Sequence, residues 1–173
     1  EHDRRYMVVD ASGEFLSQRV VPKMATVPTD IDGADLTLSA PDLDPVGLPL
    51  EPVSGERMRV RVWRSDCDAI APSREADRWL SGYLGLECRL VYMPDSTRRE
   101  SNPEYAPGKI VSFADGYACL ATSESSLADL NACSVTQGAE AVPMNRFRPN
   151  LVVAGSAPFA EDTWPRLRIG GIV

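Results

Sequence analysis

The sequence predicts a mainly β protein with a few short helices (α+β), and three observations carry that prediction. Met58, Val60 and Val62 alternate with Arg57, Arg59 and Arg61, the period of a strand with one buried and one wet face. Turn residues recur every few positions, with 14 prolines and 12 glycines in 173 residues. Helical spacing is confined to two stretches, one after Pro72 and one after Thr122.

Taken in order, Tyr6-Met7-Val8-Val9 and Phe15 to Val20 read as a hairpin around the turn Ala11-Ser12-Gly13. Asp32-Gly33 is a second turn, and Leu36-Thr37-Leu38 follows as a short strand. Pro41 to Pro52 is acidic and proline-rich, which predicts an irregular edge or an interrupted strand. The arginine stripe of 57–61 suits either a ligand or a solvated face balanced by nearby acids. Pro72-Ser73 opens a helix in which Ala76, Trp79, Leu80, Tyr83 and Leu84 share a face, and Gly85 suits its C-terminal cap. The Trp79/Tyr83 stripe reads as core packing. Arg89 to Met93 is the next strand. These turns predict a small β-barrel over residues 1–93.

Residues 94–106 hold Ser, Asn, Arg, Glu and prolines without periodicity and read as a linker. The second domain, 107–173, opens with the predicted strand Ile110 to Phe113. Ser123, Glu124, Ser125 and Ser126 then start a helix carrying Leu127 and Leu130 on a core-facing side. Hydroxyls and unpaired amides at a helix start suit an anion, although plain capping explains one of the serines. Pro143 to Asn150 packs Arg146 and Arg148 between prolines, a stiff loop suited to a planar anion or to pairing with the chain's own carboxylates. Together the helix start and this loop are expected to form one anion cradle. Leu151 to Ala154 and Arg166 to Ile169 read as strands. Gly170-Gly171 would turn into a strand beginning at Ile172-Val173, so the second barrel is expected to be incomplete, as in a fragment.

The formal net charge of −7 argues against a general nucleic-acid binder. No apolar run reaches the length of a membrane helix, and no secretory signal is recognisable, so a cytoplasmic protein is expected. Cys67, Cys88, Cys119 and Cys133 form no CxxC pair and His2 completes no zinc set, so reduced thiols are expected and no residue is assigned to a metal.

Asp3 to Asp10 with Phe15 to Arg19 resembles the N-terminal β-barrel domain that precedes a MOSC domain. Ser123 to Asn131, Asn145 to Val153 and Phe159 to Trp164 with Ile169-Gly170 resemble the MOSC domain itself. The resemblance covers nearly the whole chain, in order. It implies a bacterial relative of the mitochondrial amidoxime-reducing component: a molybdenum cofactor (Mo-molybdopterin) protein that reduces N-hydroxylated compounds. The alternative is a non-catalytic molybdopterin or sulfur-carrier module, with a family-level association with pyridoxal phosphate. Lys23 and Lys109 are the chain's two lysines, and neither has a convincing pyridoxal context.

By the same resemblance, Arg4 contacts the cofactor, Ser123, Glu124, Ser125 and Ser126 hold its pterin and phosphate end, and Arg148 and Asn150 belong to the family's RPN run. The family's metal-ligand cysteine is expected beyond Val173 and its Tyr-Pro-(Ile/Val)-Lys-Ser stretch before Glu1. On that expectation this chain alone is inactive. The implied partners are a small N-hydroxylated substrate and an electron-donor reductase or fused ferredoxin-like domain, with no membrane and no nucleic acid.

Overall fold

The computed structural model describes residues 2–171, which divide by compactness into two units, Glu1–Ala118 and Cys119–Val173. The first unit is built on a four-stranded antiparallel sheet in the order β1 (Tyr6–Asp10), β7 (Cys88–Tyr92), β6 (Ser65–Ala71), β5 (Glu56–Val62). Its two edge strands are joined through the segment Gly13 to Leu16. Phe15 N donates to Arg61 O at 3.0 Å, Arg61 N to Gly13 O at 2.9 Å, and Leu16 N to Val8 O at 2.9 Å. The sheet is therefore linked edge to edge by bridges rather than by a regular fifth strand. The hairpin expected over 6–20 is real as far as Phe15, which pairs with Val9; Ser17 to Val20 is turn instead. Gly13 is needed at this closure, since its φ is 88° and a Cβ would stand 2.8 Å from Arg59 O.

The alternation read over 57–62 places Val60 and Val62 in the interior with Met7, Val9, Cys67, Ala69, Ala71, Val91 and Met93. The opposite, arginine face is solvated and acid-paired. Arg59 meets Asp68 at 2.9 Å and Arg61 meets Asp66 at 2.6 Å, across the β5–β6 register. That pairing absorbs two of the stripe's three arginines, Arg59 and Arg61.

A second sheet, β2 (Thr29–Asp32), β3 (Asp35–Ala40) and β4 (Leu43–Pro49), turns at Gly33 as expected. The stretch expected to be irregular or interrupted is a seven-residue strand, β4. It pairs only with β3, and an edge strand tolerates Pro45 and Pro49 because the missing N–H groups break no ladder. Leu36, Leu38, Val46 and Leu48 pack on Ala76 and Leu80 of α1 (Arg74–Leu84) and on Leu90 of β7. The helix begins where the sequence says, with Ser73 Oγ accepting from Ala76 N. It ends at Gly85 with φ 74°. Trp79 packs against this core, as expected, and its Nε1 donates to Asp44 O at 2.7 Å.

The stretch 94–106, read as a linker, packs with the first unit. Arg99 is buried, and its guanidinium donates to the carbonyls of Ser112, Ala114 and Asp115. The strand expected at Ile110 to Phe113 is reduced to one bridge, Glu100 to Ile110, because these residues are spent on the Arg99 loop and on the Arg4 carbonyl.

In the second unit, β8 (Ala121–Ser123) pairs in parallel with β9 (Leu151–Val153), and α2 (Glu124–Thr136) follows β8 directly. Among the described residues this unit contains no closed barrel. Leu127 is half-buried and Leu130 is exposed, so the helix face expected against a core has no buried residue. No regular strand forms over Arg166 to Ile169, where only a bridge position at Ile169 remains. The strand expected at Ile172 and Val173 falls outside the described residues.

Candidate functional site

β8 ends where α2 begins, so the backbone carries Ser123 from a strand straight into a helix cap. Ser123 is fully buried and its Oγ accepts from Ser126 N at 3.1 Å, an N-cap of the expected kind. The other serines have a different task. Ser126 Oγ lies 2.6 Å from Glu161 Oε1 and accepts from Phe159 N at 2.7 Å. Ser123 N also donates to Glu161 Oε1, at 3.0 Å.

The hydroxyl protons follow from these bonds. A carboxylate only accepts, so Ser126 donates its proton to Glu161. Ser123 Oγ, 2.6 Å from Ser126 Oγ, must then donate to it. Ser125 Oγ, 3.1 Å from Ser123 Oγ, donates in turn. A line of protons thus runs Ser125 to Ser123 to Ser126 to Glu161, leaving the Ser125 oxygen as an acceptor.

The positive end of α2 therefore already faces an anion, and that anion belongs to the chain. Glu161 sits in a 3₁₀ turn, Ala160–Thr163, which follows Phe159 at φ 58°. The hydrogen bond from Ser126, with those from the backbone and Ser123, holds its carboxyl below the usual range. A lowered pKa means that the tie is fully present above the ordinary carboxylate pKa and is lost as the pH falls through the folded value. Acidification below about pH 4 is thus expected to loosen the start of α2, seen as faster exchange of the Ser123 and Ser126 amides. Glu161→Gln should remove that acid dependence; if the wild type and the variant lose protection at the same pH, Glu161 is not the group responsible.

The second cluster is the loop before β9. Met144–Arg146 is a 3₁₀ turn, and Arg148 follows with φ 52° and its N donating to Asn145 O at 3.2 Å. A left-handed φ at a non-glycine residue costs roughly 1–2 kcal/mol, so surrounding structure must hold Arg148 there. Asn150 uses its side chain locally: Oδ1 accepts from Leu120 N at 2.9 Å, clamping the start of β8 to the start of β9.

The parallel register puts Ala121 opposite Leu151 and Ser123 opposite Val153. Ser123, Ser125, Ser126 and Glu161 thus gather at the C-terminal end of the pair, whereas Arg148 and Asn150 precede its N-terminal end. Three residues of strand, roughly 10 Å, separate the two groups. The single cradle expected of them is, in backbone terms, two sites at opposite ends of one short sheet. Glu124 is exposed in the first turn of α2 and lines a cleft of about 300 Å³ with Leu127, Asn131, Met144 and Val152. Arg4 belongs to the first unit. Its φ is 53°, its Nη1 lies 2.8 Å from Asp3 Oδ2, and its carbonyl accepts from Phe113 N.

Cys67 and Cys88 are buried, and burial pushes both thiols up; Cys119 and Cys133 are exposed. Among the described residues, no group of three or more His, Cys, Asp or Glu side chains is placed to hold a metal ion. Lys23 donates to Tyr83 O and lies 4.2 Å from the Tyr83 ring centroid. Sequence reasoning missed Glu161 as a site residue, because nothing in the spacing of a lone glutamate 35 residues from Ser126 reveals the contact.

The chain matches the family described as the MOSC N-terminal beta barrel domain over residues 1–87 and that described as the MOSC domain over residues 108–173. It belongs to the MOSC family. Among curated MOSC relatives, it is 32% identical over 178 residues to mitochondrial amidoxime reducing component 2 of Rattus norvegicus, covering 98% of this chain and 52% of the relative. To the Bos taurus protein of the same name it is 31% identical over 176 residues, covering 98% of this chain and 51% of that one. It is also 30% identical over 187 residues to the molybdenum cofactor sulfurase of Arabidopsis thaliana, covering 98% of this chain and 23% of the relative. The chain thus spans about half the length of the amidoxime reducing components it matches, and less of the sulfurase. No described helix is long and apolar enough to cross a membrane.

Proposed function

We propose that this MOSC protein binds the molybdenum cofactor and serves in the reduction of N-hydroxylated compounds. The observation that carries the proposal is the likeness to amidoxime reducing components across 98% of the chain, through both family domains in order. A non-catalytic molybdopterin or sulfur-carrier role is the second reading, favoured by the likeness to a molybdenum cofactor sulfurase over the same span.

The residues present fit the cofactor unequally. A terminal phosphate needs cations, and the loop carries the two guanidinium groups of Arg146 and Arg148. The start of α2 fits a phosphate poorly, since its hydroxyl protons are committed to Glu161 and a second anion there would face a carboxylate. The half-buried Ser125 oxygen, 3.4 Å from Ser156 Oγ, suits an N–H donor such as those of a pterin ring. In this proposal Arg148, with Asn150 bracing its loop, carries the anionic end. Ser125 meets the heterocycle, Ser123 and Ser126 position it through their chain of hydroxyls, and Glu124 stands at the helix rim. When bound, the cofactor supplies a redox-active metal able to take oxygen from an N–O bond. The chain's own part is to bind and orient. Electrons come from a partner reductase or a fused ferredoxin-like domain, and cytoplasmic residence is part of the same proposal.

The test supplies the cofactor-loaded full-length protein with benzamidoxime and a reduced dye as electron donor, and measures benzamidine. Turnover supports the oxidoreductase. Retained molybdenum without benzamidine sinks it and leaves the carrier reading standing.

A further inference from the structure

The first unit carries a groove that the proposed function does not use. It has a volume of about 540 Å³ and runs along the outer side of α1. That is within the range of small-molecule sites, roughly 300–1,000 Å³. Its lining comes from three places. Arg78, Trp79, Gly82 and Tyr83 belong to α1, Lys23 to the 3₁₀ turn Pro22–Thr26, and Pro41 to Leu43 to the β3–β4 turn.

Gly82 is the residue that needs explaining. It lies in the last turn of a helix, where glycine costs about 1 kcal/mol relative to alanine. A Cβ there would meet no atom within 4 Å, and its φ is not left-handed, so neither packing nor backbone conformation demands glycine. Its missing side chain leaves the helix surface open where Gly82 lines the groove.

The walls are prepared for a flat guest. Trp79 and Tyr83 stack with ring centroids 5.9 Å apart. Tyr83 is held by its OH, 2.6 Å from Thr26 Oγ1, and Trp79 by its bond to Asp44 O. Lys23 is fastened over the Tyr83 ring and donates to Tyr83 O, which occupies one of its three N–H groups. Arg78, four residues before Gly82 and so on the same helix row, forms no ion pair among the described residues. Asp42 also lines the groove, as its one carboxylate among the described residues.

We propose that this groove binds a small planar aromatic anion, an aryl carboxylate or an aryl phosphate. The ring lies over Gly82 along the edges of the stacked Trp79 and Tyr83 rings, and its charge is shared by Arg78 and Lys23. Asp42 sets a limit on the guest, since a ligand with negative charge at both ends meets it unfavourably. This site depends on the first unit alone and is independent of molybdenum.

Titration of the ¹⁵N-labelled protein with benzoate, phenyl phosphate and benzylamine tests the proposal. Benzoate, phenyl phosphate or both should shift the Trp79 indole N–H and the Gly82 amide saturably in the millimolar range, and benzylamine should not. Which anion binds tells the carboxylate from the phosphate class. Arg78→Ala should weaken binding about tenfold, as loss of a charge-assisted contact does. Gly82→Leu should abolish binding without lowering the melting temperature, since a Cβ there meets no atom within 4 Å and leucine favours a helix over glycine. Absence of saturable shifts with both anions, equal shifts with benzylamine, or undiminished binding in Gly82→Leu would each overturn the assignment.

Discussion

Arg99→Met is expected to destabilise the first unit by about 3 kcal/mol. Arg99 is 6% exposed, and its guanidinium donates to Ser112 O at 2.7 Å, to Asp115 O at 2.9 Å and to Ala114 O. Methionine matches much of the stem but leaves three carbonyls without that donor, one of them on the buried Ala114. Hydrogen bonds from a charged donor are worth about 1.5–3 kcal/mol each, and sharing one donor keeps the sum well below three times that. Burial also costs the charge part of what the bonds return, and it holds the Arg99 pKa below its ordinary value. Arg99→Lys should recover only a part, because an ammonium on a flexible stem cannot span three acceptors as a planar fork does. Urea unfolding gives the number. The Trp63 indole gives the mechanism, since its Nε1 donates to Asp115 Oδ1 at 3.0 Å and should shift when that segment loosens. A stability within about 1 kcal/mol of wild type with an unmoved Trp63 resonance would refute the fastening role.

The second large effect is expected at Asp77. This carboxylate is buried in the first turn of α1, where it accepts from Leu90 N at 2.8 Å and from Arg89 Nε at 3.1 Å. It thereby ties the helix to β7, the strand at the centre of both cores. Asp77→Ala strands a buried amide and removes one partner of Arg89, for an expected loss of about 2–3 kcal/mol. The loss stays below that of an isolated buried pair because Arg89 keeps both bonds to Glu56, at 3.0 and 2.8 Å. Asp77→Asn retains an acceptor for Leu90 N and should cost about half as much. Equal losses in the two variants would mean that charge, not the Leu90 bond, carries the effect. The comparison is best made at low salt and again at high salt, where the charge part is screened.

These two residues show where the sequence was readable and where it was not. Val60 and Val62 announced a strand because burial alternates with period two, and Ser73 and Gly85 announced a helix because caps are local chemistry. Arg99 and Asp77 act over longer separations, through atoms no spacing rule reaches. Arg99 lies in a stretch that reads as a linker by composition, yet one side chain fastens it. The prolines of β4 argued against a strand, and edge position removed the objection. The four residues Gly13 to Leu16 link the sheet's edges with too few residues to form a pattern. At the candidate site, Ser123 and the Arg148 loop were both legible, since a cap and a stiff cationic turn are local. The register that sets them at opposite ends of β8 and β9 was not, and neither was Glu161. That carboxylate turns a helix start that reads as an open anion site into one already occupied.

The proposal that the second unit carries the anionic end of a molybdenum cofactor through Arg148 rests on one contrast between residues. The most direct measurement is the molybdenum and pterin content of protein purified from cofactor-producing cells, for the wild type, Arg148→Ala and Glu161→Gln. The account predicts at least a tenfold loss of both in Arg148→Ala, as expected when a charge-assisted phosphate contact is removed, with fold and melting temperature kept. It predicts a smaller loss in Glu161→Gln, where the amide still accepts from Ser126. Wild-type molybdenum and pterin content in a folded Arg148→Ala protein would contradict it.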